Sequence, residues 1–401
     1  MKIVHIVTSD YTGAGLCAKR LCKAQRNLGL DAKLLVKEKT SNENYIIQYP
    51  NSLPILIKKY WIKILRKLHL YQMNRELNFT HLMKKYKFWG SLPVSYYQLQ
   101  SLPLIKEADI IHLHYIDDFI DYPSFFKSIK KKIIWTQHDE SINFGISHYT
   151  NAYNNLPEKI KKLDYHYYKL KQKSLIKARD ITLVSLSEMM YNFNRIHSFT
   201  SNIPDVIIHN SVDYNIYKPI NKEKARDFFN IPKDCIILLF AAADISDKRK
   251  GLRDLVKSVT QINNSTIKIC TVGLNNQKVD DIKGLIRLGT IKDPKIMSLA
   301  YSAADYFIMP SYQEAFAQTP LEAMACGKPV IAYPCSGTKE LINNNNGIIC
   351  KDFTVKSLTD AIIKAMHTNF NDKYIREFVI ENYSPEKIAQ QYINLYMNSQ
   401  L

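Results

Sequence analysis

Residues 306–332, YFIMPSYQEAFAQTPLEAMACGKPVIA, decide the fold of this chain. Two short apolar runs, 306–309 and 329–332, have the composition of buried strands. A polar loop and a helix of small residues lie between them. Because neighbouring parallel strands are joined by such a crossover, the segment predicts an α/β protein with a parallel sheet.

The beginning of the chain has the same pattern. A glycine turn before a helix exposes backbone amides that suit an anion, so we include Gly13 and Gly15 in the predicted ligand site. The predicted elements are a strand at 3–7, a polar turn through Gly13-Ala14-Gly15, a helix from about Cys17 to Leu28 and a strand at 32–36.

Two series of apolar segments follow each other and predict two Rossmann-like αβα domains, at 1–212 and 213–384. Turn formers and a proline at 210–219 separate the series and predict a hinge. Ligands of such folds lie at the carboxyl ends of the strands, so we expect the site in a cleft that both domains face. The segments are 109–114, 133–136, 181–184 and 206–208, then 236–240, 266–272, 306–309 and 329–332.

Composition excludes a disordered, collagenous or coiled-coil chain, since 46% of the 401 residues are hydrophobic. No apolar run approaches the ~18 residues that span a bilayer, and the first residues have no secretory cleavage pattern, so we expect a cytoplasmic protein. The formal net charge is +18, and residues 1–200 contain 31 Lys and Arg against 16 Asp and Glu. This excess of positive charge in the first half predicts nucleic acid, an anionic membrane or a pyrophosphate-bearing substrate as a partner. An ordinary lysine-rich surface is the alternative.

Residues 54–70 form a basic amphipathic segment, and no acid occurs between Glu43 and Glu76. On a helix, Ile57, Trp61, Ile64, Leu65 and Leu68 share one face, and Lys59, Lys63, Arg66 and Lys67 share the other. Such a helix is typical of an anchor on an anionic membrane surface. A domain helix packed on its own sheet is the alternative.

Two carboxylates within residues 306–332 indicate a ligand-binding site. Glu314 follows a buried strand, and Glu322 lies eight positions later on the next helix, so both point to one cleft wall. Carboxylates accept hydrogen bonds from hydroxyl pairs, so one can hold a ribose and the other a hexose. The amides of Phe316, Ala317, Gln318 and Thr319 lie near a helix N-terminus and suit a phosphate.

These features resemble the family 4 retaining glycosyltransferases of the GT-B fold, of the bacterial surface-polysaccharide type. That family has Glu, seven residues, Glu, then a small-residue helix and Gly-x-Pro-Val-Ile, and the chain has Glu314, Glu322 and 325–331. Lys250-Gly251 after a strand resembles the family's donor-phosphate element. Further similar segments are 206–213, the inter-domain turn, with 135–139, His112-Leu113-His114 and Gly13-Ala14-Gly15 in the N-domain.

The resemblance implies two Rossmann-like αβα domains facing a cleft, with a terminal helix at 385–401 packing back on the first domain. It implies a hexose transfer from a nucleotide sugar to a glycan acceptor, lipid-linked, in surface polysaccharide synthesis, without a metal. The catalytic candidates are Glu314, His138 and Lys250. The donor-binding candidates are Glu322, Lys250, Arg249, Phe316, Ala317, Gln318, Thr319, Gly13 and Gly15, and the acceptor-binding candidates are His138, Asp139 and His114.

Three positions depart from the family's pattern. Ala241-Ala242-Ala243-Asp244 stands where the family commonly has an arginine, and Ser211 replaces a glycine of the inter-domain turn. Ala317 also replaces a glycine, and we expect its methyl group to restrict the backbone. His112 and His114 alternate along one strand, and we expect one to face the core and the other the cleft.

Two other functions are weighed against the transferase. A GT-B nucleotide-sugar epimerase would interconvert a donor without an acceptor, and the basic segment at 54–70 disfavours it. A nucleic-acid-binding protein is favoured by the net charge alone, and its binding should not depend on Glu322. We therefore expect a nucleotide sugar, a glycan acceptor and an anionic membrane surface as partners, and no nucleic acid.

Overall fold

A computed structural model describes residues 1–50, 53–68, 75–275, 284–335 and 337–398. The strands are β1 Lys2–Ser9, β2 Asp31–Glu38, β3 Ile46–Gln48, β4 Ile110–Leu113, β5 Lys132–Gln137, β6 Ile181–Ser185, β7 Asp205–Ile207, β8 Ile236–Asp244, β9 Ile267–Leu274, β10 Leu285–Arg287, β11 Tyr306–Met309, β12 Val330–Ala332 and β13 Gly347–Ile349. The helices are α1 Gly13–Asn27, α2 Leu53–Lys67, α3 Arg75–Tyr86, α4 Pro103–Glu107, α5 Tyr122–Ser128, α6 Thr150–Asn154, α7 Glu158–Leu175, α8 Glu188–Ile196, α9 Lys222–Phe228, α10 Leu252–Ile262, α11 Pro294–Ala303, α12 Gln318–Ala325, α13 Thr338–Leu341, α14 Val355–Met366, α15 Asp372–Tyr383 and α16 Pro385–Met397.

The chain divides into two compact units. The first unit comprises Met1–Leu186, Met190–Ile207 and the chain from Tyr392 on, and the second comprises Ser187–Met189 and Ile208–Gln391. The first unit has a parallel sheet in the order β3-β2-β1-β4-β5-β6-β7. Its core lies between this sheet and its helices, because the central strands are apolar on both faces.

The second unit repeats this architecture with a parallel sheet in the order β10-β9-β8-β11-β12-β13. Leu238, Phe240, Ile308 and Ile331 lie in its core, against α10 and α14. Both units are thus Rossmann-like αβα layers, as expected.

The predicted strands are present, and the structure adds three short ones. β3, β10 and β13 each have three residues and lie at sheet edges, where a run is too short to show periodicity. The predicted turn through Gly13-Ala14-Gly15 is wrong, because these residues form the first turn of α1. The Thr12 hydroxyl caps the Gly15 amide at 3.4 Å, and Gly15 packs so closely on β1 that a Cβ there would lie 2.0 Å from the Ser9 oxygen.

The basic segment is helical over Leu53–Lys67, as the amphipathic pattern predicts. Ile57, Trp61 and Leu68 are 50%, 58% and 59% exposed, so this apolar face is not packed in the core. The side chains of Lys59 and Arg66, and residues 69–70, lie outside the described part of the chain. Among the described helices, none combines the length and the hydropathy needed to cross a bilayer.

Candidate functional site

Lys250 and Glu314 meet in the second unit, where Lys250 Nζ lies 2.5 Å from Glu314 Oε1. Lys250 ends a short 3-10 turn after β8, and Glu314 follows β11. Because β8 and β11 are parallel neighbours, their carboxyl ends bring the two loops together. The Tyr312 amide also donates to the Arg249 carbonyl at 2.9 Å. One cation and one carboxylate therefore stand at the sheet edge where α/β folds bind ligands.

Glu322 lies on α12, half-buried, and a tyrosine orients it. The hydroxyl of Tyr301, which is fully buried on α11, donates to Glu322 Oε2 at 2.8 Å. Burial, followed by the nearby Glu322 charge, keeps the pKa of Tyr301 well above its usual value, so the phenol retains its proton. This contact orients the carboxylate.

The N-terminus of α12 begins beside an aromatic contact. Phe316 is 6% exposed and stacks on His209, with ring centroids 5.1 Å apart and planes at 15°. Ala317 is the N-cap residue, with φ −74° and ψ 132°. Any residue adopts this extended conformation, so Ala317 occupies the N-cap position without backbone strain.

Asp254 on α10 anchors two tyrosines in the second unit. Its Oδ2 accepts from the hydroxyls of Tyr312 and Tyr333, the latter at 3.2 Å. Tyr312 stacks on Phe353 with planes at 16°, and these two rings are 41% and 40% exposed. The cluster holds the loop that carries Glu314 from the side of α10.

Three histidines form a buried layer in the first unit. His5 on β1, His112 on β4 and His114 just after β4 are 0%, 0% and 3% exposed. The rings of His112 and His114 stack with centroids 4.3 Å apart. Because residues two apart on a strand point to the same face, His112 and His114 lie side by side, and His114 also lines the pocket described below.

An ion pair lies beside this layer. His148 Nδ1 is 2.7 Å from Asp139 Oδ2 and 3.4 Å from Asp117 Oδ2. Burial opposes the charged imidazole, but the two carboxylates outweigh it and raise the pKa of His148. Ser91 Oγ lies 2.9 Å from His148 Nε2, which has the connectivity of a serine triad. The two carboxylates favour the charged form of His148, in which neither ring nitrogen is bare to take the serine proton.

A pocket of the first unit is lined by His114, Gln137, His138, Asp139 and Asp117. Two of these side chains have a polar atom that lacks a hydrogen bond. In the described part of the chain, Asp117 Oδ2 and Gln137 Nε2 are buried without a hydrogen-bond partner, although Asp117 Oδ2 also belongs to the ion pair with His148. The cavity is about 10 Å³, so it has room for one ordered water or for a single hydroxyl group that reaches in from a ligand.

The structure brings the predicted residues together in two groups. Lys250 and Glu314 touch in the second unit, with Glu322 on the helix that follows. His114, His138 and Asp139 line one pocket in the first unit. Arg249 forms an ion pair with Asp247 at 2.7 Å, and Gly13 and Gly15 belong to α1.

Several residues at these positions carry no signal in the sequence. Tyr301, Asp117 and His148 are distant in the chain from the groups that they contact, so no spacing rule indicates them. Each is one of many residues of its type, and only tertiary packing selects it.

Two clusters in the described ranges contain metal-ligand residue types. They are His5, His112 and His114, and Asp117, Asp139 and His148, each with ligand atoms within 4.8 Å of one another. In the first cluster every ring nitrogen has a hydrogen-bond partner. In the second, the two carboxylates raise the pKa of His148 and so favour its positive charge. Hydrogen bonds and charge pairing thus account for both clusters.

Comparisons with known sequences point to glycosyltransferases. The family model described as Glycosyl transferases group 1 matches residues 236–368, most of the second unit. An uncharacterized glycosyltransferase of Methanocaldococcus jannaschii is 25% identical over 67% of this chain and 68% of its own length. The N,N'-diacetylbacillosaminyl-diphospho-undecaprenol alpha-1,3-N-acetylgalactosaminyltransferase of Campylobacter jejuni is 27% identical, over 44% of this chain and 49% of its own length. The chain thus spans about half of that second relative.

A solved structure extends the likeness to the whole chain. The Anabaena protein HepE in complex with UDP and glucose superposes with a TM-score of 0.69. The alignment covers all of both chains at 15% sequence identity. At this identity the likeness concerns the fold.

Proposed function

Since the chain is a glycosyltransferase of the GT-B fold, we propose that it moves a hexose from a nucleotide sugar to a glycan acceptor with retention of configuration. The observation that carries the proposal is the contact between Lys250 and Glu314 at the carboxyl ends of β8 and β11. The matched family segment contains both residues. The acceptor we propose is lipid-linked, in bacterial surface polysaccharide synthesis, because the Campylobacter relative is named for an undecaprenol-linked substrate.

The donor would bind to the second unit. As the glycosidic bond breaks, negative charge grows on the leaving nucleotide diphosphate, and a fixed cation stabilises that transition state. Lys250 would supply the cation, because its ammonium group would leave the Glu314 carboxylate and pair with the pyrophosphate. The amides of residues 316–319 would donate further hydrogen bonds to the phosphates. Glu314 would then face the hexose and Glu322 the ribose. The donor's own phosphate would accept the acceptor proton, so we propose a reaction without a metal.

The acceptor would meet the pocket of the first unit. His138 and Asp117 offer acceptors there, and Gln137 offers a donor. Asp139 holds His148 in place, since its two oxygens bind His148 and the Ser141 amide. We therefore assign Asp139 a supporting role in that pocket, behind His138.

We also propose that α2 attaches the protein to the inner face of an anionic membrane. Ile57 and Trp61 are exposed on α2, Leu68 is exposed directly after it, and the helix also exposes Lys63 and Lys67. An apolar face flanked by lysines is what an interfacial helix needs, because it buries side chains among the lipids while ammonium groups meet phosphates. Such attachment would bring the site close to a lipid-linked acceptor.

Thermal melting with a panel of UDP, GDP, ADP and their sugars tests the donor assignment. One nucleotide should raise the melting temperature, because a ligand at ~100 times its Kd stabilises the folded state by ~2.7 kcal/mol. Glu322→Ala should abolish the shift. Glu377→Ala is the matched control, because Glu377 is an exposed acid of the same unit, 3.7 Å from Lys373.

Two results would contradict the proposal. A protein that melts cooperatively and responds to no nucleotide would not be a nucleotide-sugar enzyme. A full shift in Glu322→Ala would remove that residue from the donor site. With an active donor, chelator-treated protein should keep its turnover, and loss of turnover restored by a divalent cation would overturn the metal-free reaction.

A further inference from the structure

Hydrogen bonds connect Gln25 to the pocket of the first unit through three imidazole rings. His5 Nε2 lies 2.8 Å from Gln25 Oε1, and His5 Nδ1 lies 3.0 Å from His114 Nε2. His114 Nδ1 in turn lies 3.2 Å from His138 Nε2. Gln25, His5 and His114 are buried, and His138 is half-buried and lines the pocket. The chain of contacts thus runs from the interior of α1 to the pocket.

Each ring in this chain holds a single proton at neutral pH. Burial lowers the pKa of His5 and of His138 to about 4, although Gln25 and Asp139 respectively oppose the shift. Burial, with the neighbouring histidines, lowers the pKa of His114 further. A neutral imidazole has one N–H donor and one bare nitrogen that accepts.

Gln25, at one end of this series of hydrogen bonds, determines which ring nitrogens donate and which accept. The Gln25 oxygen can only accept, so His5 must donate from Nε2 and accept at Nδ1. His114 must then donate from Nε2 and accept at Nδ1, and His138 must donate from Nε2. The Gln25 amide is itself oriented, because its Nε2 donates to the Tyr396 hydroxyl at 2.9 Å.

We propose that Gln25, acting through His5 and His114, holds His138 in the tautomer whose bare Nδ1 accepts a hydrogen bond from a ligand hydroxyl in the pocket. Within the described ranges, no protein group donates a hydrogen bond to His138 Nδ1. Gln25, His5 and His114 are positioning residues, and His138 is the group that meets the ligand. The inference deepens the proposed function, since the ligand would be a sugar of the donor or acceptor.

The direction of the chain determines which ligand groups fit. With Nδ1 bare, His138 joins Asp117 Oδ2 as an acceptor in the pocket, and a sugar hydroxyl can donate to either. The opposite tautomer would present an N–H, which suits a carbonyl or carboxylate oxygen instead. The Gln25 amide, which reaches the pocket only through His5 and His114, thus favours ligands that donate a hydrogen bond from a hydroxyl group.

Long-range proton–nitrogen spectra of the full chain labelled with ¹⁵N-histidine test the tautomer directly. His138→Gln assigns the His138 signals by removing them. In the wild-type protein at pH 7, we expect Nε2 of His5, His114 and His138 to be protonated and each Nδ1 to be bare. A protonated Nδ1 on His138 would overturn the proposal.

A pair of variants separates positioning from stability. Gln25→Met removes the terminal acceptor, so we expect His138 to populate both tautomers and the signal of its Nδ1 to move towards the protonated value. Tyr392→Phe is the matched control, because it removes a buried hydroxyl 2.7 Å from Thr136 Oγ1 that lies outside the chain of rings. A His138 signal that moves equally in both variants, or in neither, would overturn the proposal.

When Gln25→Met does not fold, the wild-type spectrum still tests the proposal, because a protonated Nδ1 on His5 or His114 would exclude control of His138 by Gln25. The spectra also need no substrate, so they are independent of the nucleotide panel. A fixed tautomer with no response to nucleotides would refute the proposed function alone. A nucleotide response with a reversed tautomer would refute the positioning role alone. Where activity is measured, equal tautomer populations should lower kcat/KM about twofold, because only the competent fraction binds productively.

Discussion

At the scale of single residues, one glycine decides where the Lys250 ammonium group stands. Gly251 has a φ of +75°, and a Cβ on it would lie 2.0 Å from the Pro310 oxygen. Pro310 follows β11 and Lys250 follows β8, so the bare glycine lets the two loops approach. That approach brings Lys250 within 2.5 Å of Glu314.

We therefore expect Gly251→Ala to destabilise the protein and to weaken nucleotide binding together. Gly29→Ala is the matched control, since Gly29 also has a positive φ, +87°, but open space around it. In urea unfolding, the control should lose only about 1–2 kcal/mol of its free energy of unfolding, which is the cost of a Cβ in a left-handed backbone conformation. Gly251→Ala should lose more, because a backbone carbonyl must also move. Equal losses in the two variants would contradict this view of the loop.

At the scale of elements, α2 exposes the apolar side chains of Ile57 and Trp61. We expect Trp61→Asp to lower sedimentation with vesicles of anionic lipid by tenfold or more, since a charge would have to enter the interface. Ile196→Asp is the matched control, because Ile196 is 79% exposed at the end of α8. Wild-type binding should fall as salt is raised, because lysines meet the headgroups through screened charge. Equal binding of Trp61→Asp and wild type would assign α2 another role.

The histidine layer across β1 and β4 makes stability depend on pH. Burial lowers the pKa of His5, His112, His114 and His138, so below pH 6.5 the unfolded chain gains protons that the folded chain does not. Each of these groups should then remove up to about 1.4 kcal/mol per pH unit. The raised pKa of His148 acts in the opposite sense, and its stabilisation is lost as the pH rises from 6.5 through the folded value.

We therefore expect the free energy of unfolding to be greatest near pH 6.5, to fall steeply in acid and to fall gently in base. Urea midpoints between pH 5 and 8 measure this. Below pH 6.5, His112→Asn should reduce the slope of the free energy of unfolding against pH by the contribution of one proton, about 1.4 kcal/mol per pH unit. His367→Gln, at an exposed position, is the control. An acid limb with the same slope in His112→Asn would contradict the neutral buried layer.

At the scale of the whole molecule, the two ends of the chain meet in the first unit. Tyr396, on the last turns of α16, has its hydroxyl 2.9 Å from Gln25 Nε2 and 2.6 Å from His112 Nδ1. The Lys132 ammonium group donates to the Leu395 carbonyl at 2.9 Å and to the Asn398 carbonyl at 2.7 Å. The last residues of the chain thus complete a layer built from its first strands.

We expect a chain that ends at Gln391 to melt at a lower temperature than the full chain, because Gln25 and His112 would lose buried partners. Tyr396→Phe should fall between the two, with a loss of about 1–3 kcal/mol for unsatisfied buried groups. Tyr374→Phe, at a position 38% exposed, is the control for removal of a tyrosine hydroxyl. Full stability in the shortened chain would show that α16 does not support the first unit.

The sequence by itself determined the fold class and the series of strands, because apolar runs and their crossovers are local patterns. Residues 306–332 predict β11, the loop of Glu314, α12 and β12 in the correct order. The start of α1 could not be predicted, since Gly13 and Gly15 suit a turn and a tight helix contact equally. The edge strands β3, β10 and β13 were also missed, because three residues pair only where a neighbouring strand already exists.

Only the tertiary structure decided which polar side chains act together. Lys250 and Glu314 are 64 positions apart, and Gln25 and Tyr396 are 371 apart, so no spacing rule relates them. The direction of the imidazole chain likewise depends on Gln25, a residue with no motif around it. A hydrogen bond depends on distances of a fraction of an ångström, and packing of the whole sheet sets those distances, whereas periodicity sets only which face a residue occupies.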